Sequence, residues 1–399
     1  MHIFITANSP GEIAGWVMPF GKKLKEKNPQ VKITLLIPPC QYASGKEVKV
    51  AQKWPWIDRV IGPKNFLKYI FLGKKTSLLN SAEKSCILFL GGDPFYAAFL
   101  SKKLKIPAFA YTNRPRWRKY FKKFLVTDEK TKEKFVCLGV EPEKVEVVGY
   151  LALDSVEIAK NKKEIYENFK LSSTSFVISF LPGSRPVEIQ FMLPFFIKTV
   201  DLIRKNFSNV QFLFILSPFA DENKIKHLIE KEDAKIIGKE RFLKIKTQHG
   251  TEVTLVEENP YEVISISDLA VTIPGTNNLQ IAKIGTPMLI VVPLNKAELI
   301  PLDGIFGLIN PKIPPFGFVR RHLVFEKSKK LKFVSLPNII AGEEVVPEIR
   351  GILQAEDVAK KVVFLLKDPN LREKMANKLQ TITGKKGAAE KIAKIILNE

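Results

Sequence analysis

Short apolar segments of strand length recur along this chain with helical patterning between them, and the series runs twice. The first run comprises Ile3 to Thr6, Lys32 to Ile37, Val60-Ile61, Ile87 to Leu90, Ala108 to Tyr111, Phe124 to Thr127 and Val145 to Val148. A lysine-rich stretch of helical spacing from about Ile158 to Phe169 follows, and the pattern restarts. The second run has Phe176 to Phe180, Gln211 to Leu216, Lys235 to Ile237, Val253 to Leu255, Leu269 to Val271 and Met288 to Val292. Strands that alternate with helices form parallel sheets through right-handed crossovers. The fold class expected is therefore α/β, two doubly wound Rossmann-like domains in series. With 399 residues, 45% of them hydrophobic, the chain has material for two cores. The expected boundaries are 1–170 and 171–370, with the last helical segments, about 371–399, packing back on the first domain.

Charge narrows the partners. The formal net charge is +22, from 63 basic and 41 acidic residues. Nucleic acid, an anionic membrane surface and phosphorylated substrates are all attracted by such a field. Lysine is spread along the chain and no RNA-binding signature is present, so nucleic acid is not expected. A solvated lysine-rich surface of the kind seen in heat-adapted proteins is the competing account of most of the excess. Cys40, Cys86 and Cys137 are few, odd in number and widely spaced, which suits a reducing compartment. Neither they nor His2, His227, His249 and His322 have metal-ligand spacing, so no metal site is expected. The chain opens directly on a strand without a leader pattern, and no apolar run reaches the ~18 to 20 residues that span a bilayer. The expected location is the cytoplasm.

Phe176 to Phe180 ends abruptly in Leu181-Pro182-Gly183-Ser184-Arg185, after which Val187 to Leu193 takes up helical spacing. Pro182 and Gly183 stop a strand, while Ser184 and Arg185 offer donors to phosphate oxygens at a helix N-terminus. A plain strand-turn-helix connection is the competing reading of this segment alone. A second, distant segment changes the balance: Ser335-Leu336-Pro337-Asn338, followed by the small and acidic run Ala341-Gly342-Glu343-Glu344.

In this order and separation the two segments resemble the lipid-A-disaccharide synthase family, which has L-P-G-S-R and S-L-P-N there. Looser similarity covers nearly the whole chain. It includes Gly91-Gly92-Asp93-Pro94 against the family's G-x-D, and Val148-Gly149 with Asp154 against a glycine-to-aspartate turn. The resemblance implies a GT-B fold, in which ligands sit in a cleft between the two domains. It also implies an inverting, metal-independent glycosyltransferase with no cofactor. Such an enzyme joins UDP-2,3-diacylglucosamine to 2,3-diacylglucosamine 1-phosphate and releases UDP. The partners implied are a UDP-sugar donor, an acylated glucosamine phosphate acceptor and the inner-membrane surface, with a homodimer left open. A related transferase with other substrates and a UDP-sugar epimerase are the alternatives within enzymes. A basic membrane-surface or nucleic-acid-binding protein is the alternative outside them.

By the same resemblance Gly183, Ser184, Arg185, Gly275, Thr276, Gln280 and Asn338 bind the donor. Ile273-Pro274-Gly275-Thr276 matches a glycine-threonine helix start, but Gln280 stands where the family has glutamate. For Asn338, a turn or capping role competes with donor binding. Asp93 is the implied catalytic base, an N-cap of the following helix being the bland alternative. Ser9-Pro10-Gly11-Glu12 occupies the family's glycine loop with altered chemistry, making Gly11 an acceptor-side contact and Glu12 either a second base or a first-turn charge. Arg114, Arg116, Trp117 and Arg118 offer charge and stacking to an anionic acceptor.

Between Lys64 and Lys75, the residues Phe66, Leu67, Tyr69, Ile70, Phe71 and Leu72 form a dense apolar run bracketed by lysines. Such a helix either packs into the amino-terminal core or dips into anionic lipid. The resemblance favours membrane contact by Phe66, Leu67, Ile70 and Phe71, and a peripheral position on the cytoplasmic face of the inner membrane.

Overall fold

The computed structural model describes residues 1–40, 43–72, 84–238, 243–299 and 316–398, the side chains of 71, 72 and 316 excepted. The chain separates into two compact units. One comprises Met1–Glu157, Pro218–Ala220 and Gly384–Glu399, the other Ile158–Ser217 and Asp221–Thr383.

Unit 1 is built on a seven-stranded sheet in the order β3-β2-β1-β4-β5-β6-β7. Its strands are β1 His2–Thr6, β2 Lys32–Leu36, β3 Arg59–Ile61, β4 Ser85–Phe89, β5 Ala108–Tyr111, β6 Lys123–Val126 and β7 Val145–Val147. All pair in parallel. Apolar residues alternate between its two faces. Ile3, Ile5, Ile33, Leu35, Leu88 and Phe109 join a core on one side, with Phe20, Leu24, Ile392 and Ile396 from helices. Phe4, Ile87, Phe89, Phe124 and Val126 join a core on the other, with Ala97, Leu100 and Phe135. Helices on both faces are what a fully parallel sheet requires.

The Pro63–Leu72 helix belongs to that second core. Phe66 and Ile70 are 1% and 4% exposed, packed with Phe4, Leu36 and Ile61. The core reading therefore holds for these two side chains, and membrane contact by Phe66 and Ile70 is corrected. The reason is spacing: residues four apart share a helix face, and that face meets the sheet. Leu67 is half-buried, and the Phe71 side chain lies outside the described residues.

Unit 2 holds an eight-stranded sheet in the order β10-β11-β12-β9-β8-β13-β14-β15. The strands are β8 Phe176–Leu181, β9 Val210–Ile215, β10 Lys235–Ile237, β11 Lys244–Lys246, β12 Glu252–Val256, β13 Leu269–Thr272, β14 Met288–Pro293 and β15 Glu348–Gly351. From β12 to β15 the pairing is parallel. β10, β11 and β12 form an antiparallel meander at one edge. Neither Lys244-Ile245-Lys246 nor Glu348-Ile349-Arg350 looks like a buried strand in sequence, because each alternates charge with one apolar residue. Both lie near sheet edges, where one face meets solvent.

The unit boundary falls at 157/158, earlier than 170/171. The Lys162–Asn168 helix packs on the Pro260–Ser265 helix of unit 2, and Lys160 pairs with the buried Glu262 carboxylate at 3.3 Å. At the other end, the Pro369–Ile382 helix stays with unit 2, where it buries Met375 and Leu379. Only the Ala388–Leu397 helix returns to unit 1, buried through Ala388, Ala389, Ile392, Ala393 and Ile396. Asp154 caps it: its carboxylate accepts the Gly387 and Ala389 amides, each at 2.6 Å. No helix among the described residues is long and apolar enough to cross a membrane.

Candidate functional site

Among the parallel strands of each sheet the order reverses once: between β1 and β4 in unit 1, and between β8 and β13 in unit 2. At such a switch point the loops after the two strands diverge, and ligands of doubly wound folds bind at the carboxyl ends there. The glycine motifs fall on these four loops.

In unit 1, β1 leads into Asn8, Ser9 and a one-turn helix, Pro10–Glu12, which continues as Ile13–Val17 and Met18–Lys27. Glu12 is the third helical residue after the Ser9 cap, and its side chain folds back. Oε2 accepts the amides of Asn8 at 3.2 Å and Ser9 at 3.1 Å, while Oε1 accepts the Gly92 amide at 3.2 Å. Both oxygens are thus engaged by backbone donors on two loops, and Glu12 is corrected from base to support. Gly11 lies half-buried in the same turn. Gly91 leaves room for Glu12, since a Cβ there would fall inside contact distance of the carboxyl group as it is placed. Gly92 sits at φ +86°, with Asn8 Nδ2 only 2.8 Å from where a Cβ would be.

Next along the β4 loop, Asp93 caps the Pro94–Leu104 helix, with Oδ1 accepting the Phe95 amide at 2.8 Å. The capping reading is therefore correct. It leaves Oδ2 outward, 3.3 Å from Arg116, in a carboxylate side chain 44% exposed. Trp117 takes a left-handed backbone (φ +57°), lies 5.4 Å ring to ring from Phe95 and is 42% exposed. Arg118 is different: its guanidinium donates to the carbonyls of Leu138 and Gly139, at 2.6 and 3.3 Å. It ties the 112–120 loop to the end of the Glu129–Cys137 helix, which corrects its assignment to the acceptor. Arg114 is exposed on the same loop.

Farther along the carboxyl edge, Tyr111 donates to the Gly149 carbonyl and accepts the Leu151 amide. Burial pushes its hydroxyl well above the usual tyrosine range. Tyr150 donates to Asp128 at 2.7 Å. Burial alone would raise the Asp128 carboxyl, but hydrogen bonds from Tyr150, Thr127 and Thr131 outweigh it and hold it below the ordinary value. Sequence reading missed this group, although Thr127-Asp128 directly follows a strand.

In unit 2, Gly183 adopts φ +105°, and a Cβ there would come 2.6 Å from Glu188 Oε2 and 2.9 Å from Ile273 Cδ1. The loops after β8 and β13 therefore touch through this glycine. Glu188, third residue of the Pro186–Asn206 helix, accepts the Ser184 and Arg185 amides with one oxygen, both at 3.0 Å. Its other oxygen accepts from the Arg185 guanidinium at 3.1 Å. Across the switch point Asn278 Oδ1 accepts the Gly275 amide at 3.0 Å, and Asn277 donates to Thr272. The amides expected to face phosphate at Ser184, Arg185 and Gly275 are thus already taken by side chains. Arg185, its side chain 37% exposed, is the charged donor at this edge. Thr276 stands at the start of the Asn277–Ile284 helix without a capping bond from its side chain, and within that helix Gln280 is 93% buried.

Asn338 is fully buried within the Leu336–Ala341 helix. Nδ2 donates to the Val346 carbonyl at 2.8 Å and to Glu348 at 2.9 Å; Oδ1 accepts the amides of Val345 and Val346. With two donors and two acceptor positions filled, its amide is committed to the loop before β15, and the donor-binding reading is corrected. Glu348, unnoticed in sequence, sits at the centre: it also accepts from the Val334 and Ser335 amides and from Arg350.

Whole-chain fold comparison agrees with this geometry. The structure of UDP-GlcNAc 2-epimerase from Neisseria meningitidis bound to UDP-GlcNAc matches with a TM-score of 0.63 at 15% identity, covering 100% of both chains. That of Acinetobacter baumannii MurG matches with a TM-score of 0.54 at 11% identity, covering 100% of this chain and 99% of the other. These likenesses define the class, the two-Rossmann GT-B fold. The sequence model described as lipid-A-disaccharide synthetase matches residues 141–300. Lipid-A-disaccharide synthases of Syntrophus aciditrophicus and of a Sulfurihydrogenibium species are 26% and 28% identical over 257 and 255 residues. Those alignments take in 63% and 62% of this chain but 57% and 58% of the relatives, so the chain spans less than two thirds of their length. Over those stretches the chain is similar to lipid-A-disaccharide synthases.

Proposed function

We propose that this protein is an inverting glycosyltransferase of the lipid-A-disaccharide synthase type, joining UDP-2,3-diacylglucosamine to 2,3-diacylglucosamine 1-phosphate. The observation that carries the reading is the outward Asp93 carboxylate at the unit 1 switch point, on a loop of the family's G-x-D form. An inverting transfer is a single displacement. The acceptor hydroxyl oxygen bonds to the anomeric carbon as the bond to the diphosphate oxygen breaks, and that electron pair leaves with UDP. Asp93 takes the hydroxyl proton through Oδ2. Arg185 is the donor-side counterpart, its guanidinium offsetting charge that grows on the leaving diphosphate. Thr276 and Ser184 offer hydroxyls on the two loops that meet at Gly183, and Gln280 stands in for the family's glutamate. Arg114, Arg116 and Trp117 form the acceptor side, two guanidinium groups for a sugar phosphate beside an aromatic face.

The deciding assay is UDP release from UDP-2,3-diacylglucosamine with and without 2,3-diacylglucosamine 1-phosphate, with Asp93→Asn as control. Acceptor-dependent release with a disaccharide product supports the reading. Conversion of the UDP-sugar without acceptor would make the protein an epimerase, and UDP binding without turnover would point to other substrates.

Peripheral attachment to the cytoplasmic face of the inner membrane belongs to the same reading. Its support lies in unit 1, where exposed Trp117 and Tyr120 stand among Arg114, Arg116 and Lys119, an aromatic and cationic edge suited to anionic headgroups. Trp117→Ser with Tyr120→Ser is expected to reduce sedimentation with phosphatidylglycerol-containing vesicles and to leave Tm unchanged. Phe66→Ser, a core change, is expected to lower Tm. Undiminished sedimentation of the double variant would remove this edge from the proposal.

A further inference from the structure

We infer that Glu12 is a positioning residue, a carboxylate strut that fixes the Asp93 loop relative to the loop after β1. The inference rests on the reading of Asp93 as base. Three backbone donors converge on this side chain, two from its own loop and one, Gly92, from the loop one residue before Asp93. Gly92 is joined to the β1 loop through this carboxylate. The neighbouring glycines are shaped to admit it: Gly91 leaves the space that the carboxyl group fills, and Gly92 takes φ +86° to present its amide.

A strut of this kind acts on geometry. Hydrogen bonds from neutral amides to a carboxylate are stronger than neutral pairs and hold a definite direction. Asp93 follows Gly92 directly, so fixing the Gly92 amide fixes the turn from which Asp93 enters its helix, where the Phe95 amide and Arg116 then hold its carboxylate. Small displacements of a reacting group, ~1 Å, cost up to about 100-fold in rate. Replacing Glu12 by glutamine keeps the shape and removes one acceptor: if the amide oxygen serves Asn8 and Ser9, the amide nitrogen meets the Gly92 N–H donor to donor.

Two measurements on the full-length protein test this. The first is the amide NMR signals of Asn8, Ser9 and Gly92. All three are expected to shift together in Glu12→Gln relative to the native protein, the shared response of three amides held by one carboxylate. The second is turnover with the two sugar substrates. Glu12→Gln is expected to lower kcat about 10- to 100-fold with donor KM unchanged and Tm lowered only slightly, as for a weakened helix cap. In an Asp93→Asn background the same substitution is expected to add little, since residues acting as a unit are not additive. Glu12→Asp, one methylene shorter, serves if the glutamine variant does not fold, and is expected to lose the Gly92 contact while keeping the charge. Independent amide responses, normal kcat in Glu12→Gln, or effects that multiply with Asp93→Asn would overturn the inference. If Asp93→Asn itself keeps full turnover, the base assignment fails instead, and the NMR measurement alone decides whether Glu12 braces the loop.

Discussion

Glu12 in unit 1 and Glu188 in unit 2 hold equivalent places. Each is the third residue of a helix that opens at a switch point, and each turns its carboxylate back onto two amides of the preceding loop. They differ in where the second oxygen goes. Glu12 reaches across to the neighbouring loop and takes a neutral amide, Gly92, whereas Glu188 stays within its own loop and takes the Arg185 guanidinium. The same capping device thus braces a carboxylate-bearing loop in one unit and steadies a cation in the other. Asp93 and Arg185 are the groups so presented, one suited to accept a proton and the other to face an anion.

This contrast sets the largest expected effect. Asp93→Asn is expected to lower turnover by about 10²- to 10⁴-fold, the range for loss of a general base, while UDP affinity stays near normal. Arg185→Ala is expected to cost about 100-fold or more in turnover and to weaken UDP binding as well. Calorimetry with UDP alone separates the two. If both variants lost UDP equally, the division of labour between the units would collapse.

Sequence and structure agree where the local signal was strong. Continuous apolar runs such as Phe176 to Phe180 and Ile87 to Leu90 are strands buried on both faces, and the period of such runs carries the whole alternating plan. The charged strands β11, second from one edge, and β15, at the other edge, carry no such signal. At the site, Gly183, Ser184, Arg185, Gly275 and Thr276 were legible as loop residues because glycine and small polar residues after a strand mark a switch-point turn. The side chains filling those loops were harder to see. Glu188 had a signal, the spacing of a capping box after Arg185, yet a carboxylate beside an expected phosphate is easily set aside. Asn338 shows the opposite failure. An asparagine in a recognisable motif invites a ligand, but its four hydrogen bonds go to Val345, Val346 and Glu348, and only the fold brings those groups to it. Phe66 and Ile70 failed for a third reason, since a core helix and an interfacial helix share one amphipathic pattern until the sheet face opposite is known.

A smaller effect sharpens the comparison of the two loops. Gly183 and Gly91 each leave room for the glutamate that closes their loop, but only Gly183 also has a left-handed backbone and a second neighbour in Ile273. Gly183→Ala therefore meets both strain and fixed packing, with an expected loss of about 1 to 3 kcal/mol in unit 2 stability. Gly91→Ala meets only the end of a flexible side chain, which can swing away. Its expected loss is about 1 kcal/mol, comparable to losing a cap. Denaturant unfolding monitored separately for each unit measures both, because the two cores need not melt together. The informative result is the dissociation of stability from turnover. Gly91→Ala, mild for folding, displaces Glu12 and so is expected to lower kcat as Glu12→Gln does, with UDP affinity intact. Gly183→Ala is expected to lower unit 2 stability and UDP affinity together, because the distorted loop carries Arg185. A Gly91→Ala protein with normal kcat would mean that the Asp93 loop holds its place without the strut, and the likeness between the two glutamates would then extend only to helix capping.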